Sequence, residues 1–221
     1  MAPVTRAVPK ELLPLGVTPI IDVVLDELAA AGVTDVVVVA APAKPALRAY
    51  LDGRVRVVDQ PEPRGLGDAV LCAAEAIGDR PFVVALPDAL VTHDVVPALL
   101  AAALDGAVAL EEVAPERASG YGIAEVSDGR ITRIEEKPAA PRSNLAVAAR
   151  YVLPPAVFGA LRELAPGVGG EIQLTDALAR LVADGVRLAG VVTRGARRDV
   201  GSPEGYAAAF VEAVQGASGN R

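Results

Sequence analysis

Asp35-Val36-Val37-Val38-Val39-Ala40 and Phe82-Val83-Val84-Ala85-Leu86-Pro87-Asp88 are the two stretches that decide the fold. Each is a continuous apolar run, the first almost wholly β-branched, with no polar residue at every second position. Such runs suit strands covered on both faces, as in the parallel sheets of α/β proteins, rather than half-exposed antiparallel strands. Working outward, helical and strand patterns alternate around them. Thr18-Pro19 reads as an N-cap with proline at the first helical position, opening a helix over residues 22–31 that stops at Gly32. Helices are expected over residues 44–51, 68–77 and 95–104, and strands over 55–58 and 107–112. This alternation predicts an α/β, doubly wound, mostly parallel sheet of Rossmann-like type.

The middle of the chain changes character. Residues 121–126 and 130–135 alternate around Ser127-Asp128-Gly129-Arg130, a hairpin signal, so a small β-hairpin subregion is expected beside the sheet. A strand over 145–153 follows, then helices over 156–164 and 174–183, a strand over 186–192 and a helix over 203–214. The whole reads as one domain, residues 1–215, with 216–221 as a disordered tail.

Composition narrows the function. The chain has 221 residues, a hydrophobic fraction of 52% and only 3% aromatics, so Ala, Val and Leu build the core. A net charge of −7 without any Lys/Arg-rich run excludes nucleic acid as the expected partner. The longest apolar runs fall short of a membrane span and no signal peptide is visible, which predicts a cytoplasmic protein with no membrane partner. The single Cys72 reads as a small buried hydrophobe. His93 is the one histidine, read as a surface residue near a helix start, so a zinc site or a Ser/Cys–His pair is not expected. Of 21 basic residues only Lys10, Lys44 and Lys137 are lysines. A lysine kept in an arginine-rich chain points to a use for a compact, mobile charge.

Ligands of doubly wound sheets bind beyond the carboxyl ends of the strands, and five stretches fall there. Lys10 sits between Pro9 and Pro14 on a loop, able to meet phosphate oxygens or simply to be a solvated surface charge. Gln60 opens a loop with Gly65 and Gly67, where glycines permit close approach of a ligand and a helix N-terminus follows; an ordinary Gly-rich turn has the same text. Asp88 ends a buried strand, a place for a Mg2+ carboxylate or for a turn residue. Glu136-Lys137 ends a hairpin strand, as a site or as a surface ion pair. Asp199, in Arg198-Asp199-Val200-Gly201, is a second carboxylate or a turn Asp.

Taken in order, these stretches resemble the bacterial UTP–glucose-1-phosphate uridylyltransferase family. The likeness rests on Lys10-Glu11-Leu12-Leu13-Pro14, on residues 65–73, on Leu86-Pro87-Asp88, on Gly120-Tyr121-Gly122 and on Glu136-Lys137-Pro138. It continues through Ser143-Asn144-Leu145-Ala146 and Arg150-Tyr151-Val152-Leu153 to Glu171-Ile172-Gln173-Leu174-Thr175-Asp176 and Asp199-x-Gly201. The resemblance implies attack of a sugar 1-phosphate on the α-phosphorus of UTP with release of pyrophosphate. It assigns Lys10 and Lys137 to catalysis at the phosphates, and Gln60, Gly65 and Gly67 to base and ribose. It assigns Gly122, Glu136, Lys137, Asn144 and Glu171 to the sugar and its phosphate, and Asp88 and Asp199 to Mg2+. It also implies a homo-oligomer.

The departures are specific. The family opens with a buried strand and a Gly-x-Gly-Thr-Arg loop around the triphosphate, whereas Met1–Arg6 matches the segment after that loop. The chain as written is therefore expected to lack both, and the absent strand is expected between 35–40 and 82–86. Asp68 stands where the family has His, the position after Gly201 lacks a polar pair, and the segments 50–60 and 128–136 are short. Two alternatives stay open: a degenerate member that binds a nucleotide sugar or partner without catalysis, and a nucleotidyltransferase using another sugar or base.

Overall fold

In a computed structural model, residues 4–91, 94–193 and 197–218 are described. After short 3-10 turns, β1 (Pro14–Leu15) and β2 (Thr18–Pro19) form a small antiparallel pair, then α1 (Ile20–Ala30) leads to β3 (Val37–Ala40), α2 (Pro45–Leu51) and β4 (Arg56–Asp59). α3 (Leu66–Cys72), α4 (Ala74–Ile77), β5 (Phe82–Ala85), β6 (Ala89–Leu90), α5 (Val95–Ala102) and β7 (Gly106–Glu112) follow. The hairpin is β8 (Gly122–Ser127) and β9 (Arg130–Glu136); then come β10 (Leu145–Leu153), α6 (Ala156–Arg162), α7 (Leu174–Ala183), β11 (Leu188–Val192), β12 (Arg198–Asp199) and α8 (Pro203–Ser218).

The central sheet has six strands in the order β5-β10-β7-β11-β9-β8. Helices cover both its faces. Along β7 the large Val108 and Leu110 point to α6 and α7, where Phe158, Leu161, Leu174 and Leu178 meet them. The small Ala107 and Ala109 point to Val95 and Leu99 of α5. The division follows from the period of two along a strand. Phe82 of β5 stacks on Phe158 of α6 with ring centres 5.1 Å apart.

The expectation of a mostly parallel sheet is corrected. Only β7 and β11 are parallel within the six strands, while β10 runs antiparallel between β5 and β7 and the hairpin pairs antiparallel throughout. A parallel return to the sheet needs a crossover connection, usually a helix; between β7 and β10 the chain carries the β8–β9 hairpin instead, and β10 enters antiparallel. Thr18-Pro19 is also not a capped helix start: both residues pair in β2, and α1 begins at Ile20 with Pro19 as its N-cap. The last helix runs through Ser218, beyond the expected tail boundary at 216, while residues 219–221 lie outside the described residues, as does His93.

β3 and β4 form a separate parallel pair. The valines of β3 and the residues of β5 are only half-buried, although their sequences suit full coverage. The reason is an apolar cleft of about 560 Å³ between the two strands, walled by Val37–Val39 and Val83–Leu86 and by Ile21 and Val24 of α1 and Leu66 and Val70 of α3. The strands that expose an edge there have partners on their other side only.

Candidate active site

The first group of site residues gathers where β5 ends. Pro87-Asp88 follows β5 directly. Lys10 Nζ donates to Asp88 Oδ2 at 2.8 Å, with both side chains about one-third exposed. Asp199 arrives from far along the chain because β12 pairs with β6, setting Asp199 opposite Ala89. The Val200 N–H donates to the Asp88 carbonyl at 2.8 Å, which locks the two segments together. Gly201 leaves room between them: a Cβ there would lie 3.1 Å from Asp199 Oδ1 and 3.7 Å from Asp88 Oδ2. Asp199 Oδ1 accepts the Gly201 N–H at 2.9 Å and Asp88 Oδ2 accepts from Lys10, so both carboxylates border one glycine; paired carboxylates are the donor type of a hard cation such as Mg2+, which takes one or two of them and completes its shell with water and phosphates. Among the described residues no group of three or more His, Cys, Asp or Glu gathers as a cage, so the rest of such a shell would come from substrate and solvent.

Gln60, Gly65 and Gly67 form the second group, after β4. The Gln60 amide donates to the Gly65 carbonyl at 3.1 Å and to Asp68 Oδ2 at 2.9 Å, and Arg64 donates to Asp68 Oδ1 at 2.8 Å. Asp68 is buried at the first turn of α3, satisfied by these donors and by its place near a helix N-terminus. The glycines have a packing reason. Gly65 has φ +106°, and a Cβ there would meet the Ile172 carbonyl oxygen at 2.7 Å; a Cβ on Gly67 would meet the same oxygen and Leu161 Cδ2 at 2.8 Å. Two backbone bonds, Gly67 N–H to Ile172 O and Ile172 N–H to Arg64 O, fasten the loop to that residue. Glu171 lies against Gly65, its carboxylate accepting from Gln173 Nε2 at 3.2 Å.

The third group is on the hairpin. Gly122 and Glu136 are register partners, and a Cβ on Gly122 would stand 3.1 Å from Glu136 Oε2 and 3.0 Å from Thr175 Oγ1. Lys137 has φ +43°, an uncommon conformation for a residue with a side chain. Its half-exposed ammonium is 3.8 Å from Glu136 Oε1, too long for a tight pair. Asn144 faces backbone instead: its side-chain amide donates to the Val113 carbonyl at 3.3 Å, and its backbone carbonyl accepts the Val113 N–H at 3.0 Å.

Glu171-Ile172-Gln173-Leu174-Thr175-Asp176 ties the second group to the third, with Ile172 on the glycine loop and Thr175 against Gly122 and Glu136. Lys10, by contrast, stands with the aspartates and Lys137 with the hairpin. Sequence reading passed over two participants, Glu11 and Arg197. Glu11 is buried, takes Lys44 Nζ at 2.8 Å on one carboxylate oxygen and leaves the other without a partner, at the mouth of the apolar cleft. The one available signal was that Lys44 is the third lysine. Arg197 donates to Glu111 Oε1 at 2.6 Å and lies over the Tyr121 ring. Burial pushes the Cys72 thiol up, so it stays protonated.

Comparison with known proteins identifies the family of the chain. The sequence pattern described as nucleotidyl transferase matches residues 1–216. A UTP–glucose-1-phosphate uridylyltransferase from Pseudomonas aeruginosa is 34% identical over 245 residues, covering 92% of this chain and 88% of that protein. One from Bacillus subtilis is also 34% identical, covering 95% and 85%. The low-salt glycan biosynthesis nucleotidyltransferase Agl11 of Haloferax volcanii is 34% identical over 92% of this chain, but the match spans only 60% of its own length. The crystal structure of a UDP-glucose pyrophosphorylase complexed with UDP-glucose superposes with a TM-score of 0.86 at 32% identity, covering 100% of this chain and 94% of that one.

Proposed function

Because this chain belongs to the nucleotidyl transferase family, we propose that it transfers the uridylyl group of UTP to a sugar 1-phosphate, glucose 1-phosphate first among them, giving a UDP-sugar and pyrophosphate. The observation that carries the reading is the meeting of Asp88, Asp199 and Lys10 beyond the end of β5. In-line attack of one phosphate oxygen on another phosphorus needs alignment and neutralisation of charge rather than a covalent nucleophile.

Lys10 offers its ammonium to the phosphates of UTP from a position already shared with Asp88. Gln60, Gly65 and Gly67 hold the base and ribose along a loop fixed to Ile172. Lys137 meets the phosphate of the sugar, and Gly122, Glu136, Asn144 and Glu171 bound the sugar pocket. Asp88 and Asp199 would hold Mg2+, which when bound supplies positive charge against the triphosphate. The protein acts in the cytoplasm as a homo-oligomer on small molecules. Among the described residues no helix is long and apolar enough to cross a membrane.

A cleft bounded by the edges of β3 and β5 and roofed by α1 and α3 supports a place for one more strand of the family's sheet there. A second reading, binding of a nucleotide sugar without turnover, is favoured by the same cleft, since it divides the strands whose ends carry the site. One assay separates the two. Pyrophosphate release from UTP, glucose 1-phosphate and Mg2+ supports transfer, whereas UDP-glucose binding with no release supports the second reading.

A further inference from the structure

Arg150 and Glu27 are the most deeply buried ion pair of the described residues, with side chains 0% and 3% exposed. Arg150 Nε donates to Glu27 Oε1 at 2.9 Å and Nη2 to Oε2 at 2.7 Å, a two-pronged contact between β10 and α1. Its remaining terminal nitrogen, Nη1, donates to the carbonyls of Ala149 and Leu86, each at 3.0 Å. The arginine is delivered there by an irregularity in β10, where the register against β7 shifts between Val147 and Tyr151 and Ala149 adopts φ +60°.

Leu86 is the residue before Pro87-Asp88. Its N–H donates to the Ala149 carbonyl at 3.2 Å, and among the described residues its carbonyl otherwise accepts only a long 3.4 Å bond from the Ala89 N–H. Pro87 has no N–H to contribute. The turn that carries Asp88 is therefore held on its far side by Val200 and the β6–β12 pairing, and on its near side by Arg150. A buried ion pair is poor evidence for a stabilising role, because apolar residues of similar size often serve stability as well or better. What an apolar pair cannot do is grip the Leu86 carbonyl.

We propose that the Arg150–Glu27 pair positions Asp88 for its cation, Glu27 fixing the guanidinium and the guanidinium fixing the Leu86 carbonyl. Arg150 is a positioning residue that touches neither substrate nor metal. The proposal rests on the reading of Asp88 as a metal ligand. Lysine would not replace Arg150, since a single ammonium cannot reach both carboxylate oxygens and two carbonyls in fixed directions.

Two variants test it. The double variant Glu27→Leu with Arg150→Met removes both charges and strands neither; Arg150→Lys keeps Glu27 paired and guards against a double variant that does not fold. Mn2+ binding to the protein alone, followed by paramagnetic resonance, is measured beside the Mg2+ concentration for half-maximal turnover and the unfolding temperature, with Asp88→Asn as reference. Groups that orient a metal ligand typically change affinity by about 10–100-fold when removed. We expect both variants to stay folded and to weaken Mn2+ and Mg2+ by about tenfold or more, with the KM for glucose 1-phosphate little changed. If Asp88→Asn weakens the metal and the folded Arg150 variants do not, the positioning role falls while the metal site stands. If Asp88→Asn itself leaves Mn2+ binding unchanged, the metal site falls, and the positioning role with it.

Discussion

Two glycines, both inside helices, should respond to the same substitution with opposite sign. Gly67 lies in the first turn of α3, and Gly159 in α6. In an open helix, Gly→Ala stabilises by about 0.5–1 kcal/mol through lost freedom of the unfolded chain. Gly159 meets that condition, with nothing within 4 Å of an added Cβ. Gly67 does not, because the added carbon would stand 2.8 Å from the Ile172 carbonyl oxygen and from Leu161 Cδ2. Leu161 is fully buried, and the carbonyl is bound by the Gly67 N–H itself, so neither neighbour can retreat without breaking packing or a hydrogen bond. Overpacking of this kind costs about 1–3 kcal/mol, which outweighs the helix gain and leaves a net loss of roughly 1–2 kcal/mol. For a chain of this size each kcal/mol moves Tm by about 2–4 °C. Gly67→Ala should therefore lower Tm by about 2–8 °C and, by pushing the Gln60–Asp68 loop away from Ile172, raise the KM for UTP more than that for glucose 1-phosphate. Gly159→Ala should raise Tm slightly and leave both constants alone. The measurements are thermal unfolding by circular dichroism and steady-state pyrophosphate release. A Gly67→Ala protein as stable as Gly159→Ala would show that the loop yields freely, and the account of these glycines would be wrong.

Asp88→Asn and Asp199→Asn should each lower turnover by about 10²-fold or more, and a chelator should abolish the wild-type rate until Mg2+ is restored; activity indifferent to chelation refutes the metal reading. Lys137→Ala should cost about 10²-fold in kcat with an unchanged unfolding curve, since its half-exposed side chain makes only a loose contact; unchanged turnover would make it a surface ion-pair partner. The hydrogen bonds from Arg187 hold the Asp105 carboxyl down at about 2. A depressed carboxylate contributes stability in full above its unfolded pKa and loses it as pH falls from there through the folded value, so the stability difference between wild type and Asp105→Asn should be full at pH 6 and shrink as pH falls from about 4 to 2; a difference constant over that range would contradict the pairing.

The sequence by itself determined most of the elements and the family. Continuous valine runs suit strands covered by other layers, Asp128-Gly129 is a strong hairpin-turn signal, and ordered motifs from Lys10 to Gly201 carry the resemblance that comparison with known proteins bears out. Strand direction was not legible: periodicity marks which face a residue takes but not which way the chain travels, so β10 entered antiparallel without a signal. Two-residue strands such as β6 and β12 are too short to show a pattern, yet their pairing is what brings Asp199 to Asp88 across 111 positions. Gly65 and Gly67 were visible as glycines, but the partner that requires them, the Ile172 carbonyl, became apparent only in three dimensions. The same holds for Arg150 and Glu27, which look like a strand residue and an ordinary helix charge until the fold buries them together. Local preference is written in neighbouring residues. Contacts between distant residues depend on how layers pack, and only the tertiary structure decides them.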